Sequence, residues 1–349
     1  MDHNDLYDVT IIGGGPAGLY SAFYSGLREM KTKIIEYQPT LGGKVHVYPE
    51  KMIWDIGGQP PISGARFIEQ IVDQGITFNP SVVLNEKVDA ITKNENDIFE
   101  LRLASGAVHF SKTVIVAVGS GILNPQKLEI EGAERFEISN LNYTVKALKS
   151  FQDKTVVISG GGNSAIDWAN ELRPIAKDVI IICRKDSFTC HEALATQLKN
   201  SSVVCLFNTQ ITKLIASKDH EQIEKVQLTN LESGVVSYLP LDEMIVNHGY
   251  DRDTSLLKNS DLNIQIEDNY FVAGNANSES SVSGLYAAGD ILAHEGKLNL
   301  IAGAFQDAAN AVNKAKQFID PDANKVGMVS SHNDVFKKRN REIVKQMMK

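Results

Sequence analysis

Twice in this chain a glycine-rich loop stands between a short β-branched run and a helical run. The first loop is Gly13-Gly14-Gly15-Pro16-Ala17-Gly18, preceded by Tyr7 to Ile12. The second is Gly160-Gly161-Gly162-Asn163-Ser164-Ala165, preceded by Thr155 to Ser159. A strand that turns on glycines into a helix is half of a parallel βαβ unit, so two such loops demand two parallel-sheet α/β layers. The residue that closes the following strand is Glu36 in the first case and Arg184 in the second. Two loops imply two nucleotides, and the opposite charges imply two different ones.

In the first unit, Val9, Ile11 and Ile12 bring the bulk of a buried strand, and Pro16 opens a helix carrying Leu19, Phe23 and Leu27 at helical spacing. Lys33 to Tyr37 reads as the next strand. Gly13 permits the tight turn, Gly15 lets a pyrophosphate approach the backbone, and Gly18 lets the helix pack closely on the strand. The helix start offers free N–H groups and partial positive charge to phosphates. Glu36 can accept hydrogen bonds from ribose hydroxyls and repels a 2′-phosphate.

In the second unit, Gly160 and Gly162 play the corresponding turn and approach roles, and Ala165 replaces the last glycine, which the motif tolerates. Asn163 to Leu172 reads as the helix, with Pro174 helping to end it, and Val179 to Cys183 as the strand. Arg184, followed by Lys185, can fork onto a phosphate, so a 2′-phosphorylated ribose is favoured. Asn163 and Ser164 open the helix that faces the nucleotide. An acid at an N-terminal site and an arginine in mid-chain suggest FAD first and NADPH second.

Composition removes several other classes. A formal net charge of -8 argues against general nucleic-acid binding, while leaving room for a local basic patch. No apolar run has the length of a membrane span, and the polar start Met1-Asp2-His3-Asn4-Asp5 reads as no signal peptide, so a cytoplasmic protein is expected. Cys183, Cys190 and Cys205 form neither a Cys-x-x-Cys pair nor a metal-ligand spacing, so reduced structural thiols and no metal are expected.

With both loops, the chain carries Leu41-Gly42-Gly43-Lys44, Tyr48-Pro49-Glu50-Lys51 and Val114 to Gly119. It also carries Gly284-Leu285-Tyr286-Ala287-Ala288-Gly289-Asp290, and Glu295 to Ile301. On these motifs, over nearly its whole length, it resembles the two-domain flavoprotein disulfide reductases. It is most similar to the thioredoxin-reductase-like ferredoxin (flavodoxin)–NADP⁺ reductases of bacteria. Thioredoxin reductases carry a redox Cys-x-x-Cys before the NADP loop. Here that stretch, Ser139-Asn140-Leu141-Asn142-Tyr143-Thr144, has no cysteine. A related disulfide reductase group carries cysteine within the first glycine loop, where this chain has Ala17. Without a thiol to attack and another to resolve, flavin chemistry alone remains. The expected activity passes electrons from NADPH through FAD to ferredoxin or flavodoxin. The alternatives are a disulfide reductase using a partner's thiols and a nucleotide-sensing flavoprotein.

The resemblance implies roles for single residues. Glu36 would bind the adenosine ribose, Lys44 would lie at a flavin-contacting turn, and Tyr48 would stack on the isoalloxazine. Val88 would meet the adenine through its backbone, Leu123 would lie beside the flavin where the chain crosses domains, and Asp290 would hold the ribityl chain. The helix expected after Lys297, through Ala304, Ala308 and Val312, would aim its N-terminus at the flavin. The family's NADPH strand reads His-Arg-Arg with a further arginine. Here Cys183-Arg184-Lys185 and Thr189 imply a weaker grip on the 2′-phosphate. The histidine that the family lays over the second flavin face falls on Ser331, which would hydrogen-bond the flavin; His332 is one place off and is not expected to stack.

The expected architecture is α/β, with two Rossmann-like domains. An NADPH domain of residues 122–250 would be inserted into an FAD domain made of 1–121 and 251–349 with its C-terminal extension. The resemblance also implies a homodimer.

Overall fold

The computed structural model describes residues 6–121, 123–329 and 332–348. The chain divides into two compact units, one of Met1–Ile122 and Arg252–Lys349, the other of Leu123–Asp251.

The first unit is built on a parallel sheet. Strand β1 (Leu6–Ile12) pairs with β2 (Thr32–Ile35) on one side and with the strand Val108–Val116 on the other. Ser81–Val83 extends the sheet beyond β2, and Leu285–Ala287 extends it beyond the last turns of Val108–Val116. The first half of Val108–Val116 instead pairs antiparallel with Phe99–Leu103, which pairs with Val88–Lys93 at the sheet edge. Sheets covered on both faces carry continuous apolar strands rather than alternating ones. Val9, Ile11, Ile34, Val114, Ile115 and Val116 are all fully buried, as that rule requires. Helices α1 (Pro16–Leu27) and α2 (Gly64–Gly75) cover one face, and Leu19, Ala22, Phe67 and Ile71 enter the core beneath them.

The second unit repeats the plan. Its parallel sheet runs in the order Leu141–Asn142, Glu243–Val246, Thr155–Ser159, Asp178–Ile182, Val204–Leu206. Helix α3 (Asn163–Leu172) follows the glycine loop, and α4 (Glu192–Lys199) lies further along the chain. Arg173 caps α3, still with helical backbone angles, and Pro174 follows it; proline cannot donate the N–H that would continue the helix. A three-stranded antiparallel sheet, Thr209–Ala216, Ile223–Asn230 and Val236–Pro240, completes the unit.

The remaining helices belong to the first unit: α5 (Ser255–Lys258), α6 (Ile301–Ile319) and α7 (Lys337–Met347). Helix α6 packs with α1 over the parallel sheet, burying Ala304, Ala308, Ala311 and Val312. Ahead of α7, Phe336 packs against Phe23 and Phe78.

Two strands end earlier than the sequence reading has them. Strand β2 stops at Ile35 rather than Tyr37, because the Glu36 side chain turns back to the glycine loop and Tyr37 is exposed. The second-unit strand ends at Ile182, leaving Cys183 just beyond it. Among the described residues no helix is long and apolar enough to cross a membrane.

Asn140 joins the two sheets of the second unit. Its Nδ2 donates to the carbonyls of Ile223 (2.9 Å) and Asp242 (3.0 Å), and its Oδ1 accepts from the Ile223 N–H (2.9 Å). The side chain is buried, so its loss leaves three backbone groups without a partner. Asn140→Ala should lower the stability of this unit by at least about 2 kcal/mol, measured by denaturant unfolding followed through Trp168.

Candidate functional site

The first glycine loop is shaped by contacts between backbone atoms. Gly13 has φ +109°, and a Cβ there would lie 2.4 Å from the Ala117 carbonyl oxygen. A Cβ on Gly18 would lie 1.9 Å from the Gly13 oxygen, so α1 sits closer to the turn than any side chain allows. The Gly14 N–H donates to Glu36 Oε2 at 2.5 Å, and the Gln38 N–H donates to Glu36 Oε1 at 2.7 Å. Glu36 is buried, and each of its oxygens keeps a lone pair for a ribose hydroxyl. Helix α1 starts at Gly15 with no side-chain cap, so its first-turn N–H groups face outward for an anion.

The Gly42-Gly43 turn lies directly on this loop. The Gly42 N–H donates to the Gly14 carbonyl at 2.8 Å, and a Cβ on Gly43 would come within 2.7 Å of Gly15 Cα. Lys44 follows and is exposed, while Tyr48, at the end of the same short 3₁₀ turn, is half-buried against the core. Burial raises the Tyr48 phenol above its ordinary range, and the nearby carboxylates of Asp290 and Asp55 push it the same way. Asp290 therefore shares the neighbourhood of Tyr48. Gly289 has φ +78°, and a Cβ there would meet Ala17 Cβ at 2.9 Å, which sets the Gly289-Asp290 turn against the first turn of α1. The start of the Val88 strand is tied in as well, since the Glu86 N–H donates to the Glu36 carbonyl at 3.1 Å. The Val88 side chain itself is buried in the core. Glu36, Lys44, Tyr48 and Asp290 thus surround one glycine cradle. Leu123 is described only in its backbone, as part of the strand Leu123–Pro125, and Ser331 lies outside the described residues. His332 is exposed.

The second loop uses the same frame with different supports. Gly160 has φ +150°, and a Cβ there would lie 2.5 Å from the Asn247 carbonyl oxygen. A Cβ on Gly161 would lie 2.5 Å from Cys183 Sγ, so the buried thiol forms the seat of the loop. At Gly162 a Cβ would meet nothing within 4 Å, and α3 starts there without a side-chain cap. Asn163 accepts a hydrogen bond from the His191 N–H at 2.9 Å, and Ser164 is exposed. The Thr189 N–H donates to the Gly161 carbonyl at 2.8 Å, which brings the segment after Arg184 onto the loop. Arg184 and Lys185 are both exposed just past the strand end.

Both loops fit a dinucleotide, since each has an uncapped helix start behind a closely packed glycine turn. At the second loop Asn247 Oδ1 is also buried with no hydrogen-bond partner, as an acceptor would be if it awaited a ligand. The sequence reading missed Asn247 and His248. They follow the strand Glu243–Val246, whose C-terminal end adjoins the glycine loop through sheet pairing alone. His248 Nε2 lies 2.8 Å from Ser159 Oγ. Burial and the Arg184 charge push the imidazole below its ordinary range, and Glu129 pulls it back. The folded chain therefore resists a proton that the unfolded chain takes up as pH falls through the ordinary histidine value of ~6.5. That stability is present above this value and is lost below it. His248→Gln should lose less stability than the wild type between about pH 7 and pH 5, as read by thermal unfolding at both pH values.

Residues 7–315 match the family model described as pyridine nucleotide-disulphide oxidoreductase. The chain is 72% identical over 349 residues to ferredoxin–NADP reductase 1 of Bacillus mycoides (strain KBAB4), covering 100% of both chains. It is 72% identical over 348 residues to ferredoxin–NADP reductase 1 of Bacillus cytotoxicus, again covering 100% of both. Among solved structures, thioredoxin reductase from Lactococcus lactis aligns with a TM-score of 0.74 at 23% identity, over 90% of this chain and 99% of that one, a likeness of fold. The chain belongs to the pyridine nucleotide-disulphide oxidoreductases and, within them, to the ferredoxin–NADP reductases, which carry FAD and use NADPH.

Proposed function

We propose that this protein oxidises NADPH at its second glycine loop and hands the electrons, through FAD at its first, to a small one-electron carrier, ferredoxin or flavodoxin. FAD supplies the chemistry, taking up a hydride and releasing single electrons. The observation that carries this reading is the absence of a usable thiol pair. The stretch that holds the redox cysteines of thioredoxin reductases contributes a strand, Leu141–Asn142, and the buried Asn140 instead. Cys183, Cys190 and Cys205 are unpaired. Burial pushes the Cys190 and Cys205 thiols up, away from the thiolate that disulfide exchange requires. The names of the full-length relatives point the same way.

The remaining work falls to positioning. Glu36 accepts from the adenosine ribose and Asp290 from the ribityl chain, while Tyr48 and the turn at Lys44 flank the ring system. The uncapped starts of α1, α3 and α6 supply partial positive charge to phosphates and to a reduced flavin. Arg184, backed by Lys185, holds the 2′-phosphate of NADPH. The carriers are acidic, so docking is electrostatic. In a chain of net charge -8, the exposed Arg341 and Lys345 of α7, beside Lys337 in its ion pair with Asp334, give the local basic surface that such docking needs. A homodimer in the cytoplasm is part of the same reading. The resemblance supports the dimer, and the unpaired cysteines, ordinary in a reducing compartment, support the cytoplasm.

Steady-state NADPH oxidation should be fast with a low-potential ferredoxin or a flavodoxin and should survive Cys190→Ser. Disulfide turnover that exceeds carrier turnover and needs Cys190 would overturn the proposal, as would failure of NADPH to bleach the bound flavin. Arg184→Ala should raise the Michaelis constant for NADPH on the order of tenfold or more while leaving that for NADH nearly unchanged, since one charge-assisted phosphate contact is worth roughly 1.5–3 kcal/mol. Equal effects on both nucleotides would remove Arg184 from 2′-phosphate recognition.

A further inference from the structure

One buried ion pair stands behind the Gly289-Asp290 turn, outside both glycine loops. Asp307 lies on the buried face of α6, and its side chain is 8% exposed, as is that of Lys297. Lys297 Nζ donates to Asp307 Oδ2, and the Gly289 N–H donates to the same oxygen at 3.1 Å. Ser278 Oγ donates to the Asp307 backbone carbonyl at 2.9 Å, and the Ala287 N–H donates to the Ser278 carbonyl at 3.1 Å. One carboxylate therefore joins the turn before Asp290 to the segment that leads into α6. That segment has no slack, because a Cβ on Gly303 would lie 2.1 Å from the Leu298 oxygen. On the opposite side the turn rests on Ala17.

A lysine and an aspartate this deeply buried are costly to desolvate, and apolar residues of the same volume stabilise a fold as well or better. Stability alone gives no reason for the pair. Its geometry supplies one, since a charged acceptor holds the Gly289 N–H and a charged donor ties down the approach to α6, with both side chains buried.

We propose that Asp307, with Lys297 as its counter-ion, is a positioning residue of the flavin site. It fixes the Gly289-Asp290 turn and the start of α6 so that Asp290 and the free N–H groups of that helix meet FAD together. The inference rests on the reading of Asp290 as an FAD ligand.

The test compares FAD dissociation constants, measured by reconstituting apoprotein and following flavin fluorescence, with thermal unfolding of the apoprotein alone. Asp307→Asn should raise the dissociation constant on the order of 10–100-fold, as the loss of a residue that orients a metal ligand does for metal affinity. Asp307→Glu should recover most of the loss. If Asp307→Asn fails to fold, the double variant Lys297→Met/Asp307→Leu decides, because it removes both charges together. It should unfold at or above the wild-type apoprotein temperature and still bind FAD weakly. Unchanged FAD affinity in the double variant would overturn the proposal. Asp290→Ala is measured in parallel to separate the two readings. If it leaves FAD affinity unchanged, the assignment of Asp290 fails. If it weakens binding while the Asp307 variants do not, only the role of Asp307 fails.

Discussion

The hydrogen bond from the Gly14 N–H to Glu36 holds the first nucleotide site together. It joins the loop after β1 to the end of β2, two segments related only through the sheet. The carboxylate is buried and accepts a second N–H from Gln38, so its charge is met by backbone dipoles rather than by a cation. Charge-assisted bonds of this kind are worth about 1.5–3 kcal/mol each, and they orient the acceptor that a ribose would meet. With Gly14 held, the Gly42-Gly43 turn can lie on the loop, and the cradle that faces Tyr48 and Asp290 takes its shape from that stack.

The second unit shows what happens when the same backbone plan loses its acid. Among the described residues no carboxylate reaches back to Gly161. Cys183 supports the loop from below by contact, and Thr189 ties it from the side through a main-chain bond. The strand end is thereby released from internal duty, and Arg184 and Lys185 stand exposed where Glu36 is buried. Acid and arginine thus differ in more than ligand preference. The acid is part of the loop's own structure, while the arginine stands outside it.

Much of this was legible in the residues. Strand, glycine turn and helix are encoded locally, by β-branched runs, by Pro16 and by the spacing of Leu19 and Phe23, so both loops fall where the sequence predicts. The short reach of β2 was not legible, because Lys33 to Tyr37 reads as one run until the Glu36 side chain is seen to turn back. Asn163 was read as facing a nucleotide, and its side chain also holds the His191 N–H, a partner set by loop folding. Asp307 carried a faint signal, as a lone acid among Gly303, Ala304 and Ala308 on one helical face, but its partners at Gly289 and Lys297 come together only in three dimensions. Asn247 and His248 carried none, since nothing in the chain marks the end of one strand as the neighbour of another's glycine turn.

The bond between Thr189 and Gly161 has a consequence for how cofactor choice can change. Its shorter arm is a main-chain bond of 2.8 Å, and the exposed Thr189 hydroxyl adds only a long one of 3.4 Å to the same carbonyl. The main-chain bond, which any residue but proline can make, is the stronger constraint on the chain at this point. A basic side chain could be gained or lost at position 189 without rebuilding the loop, so discrimination between the two nicotinamide nucleotides can drift through surface substitutions while the phosphate grip stays constant.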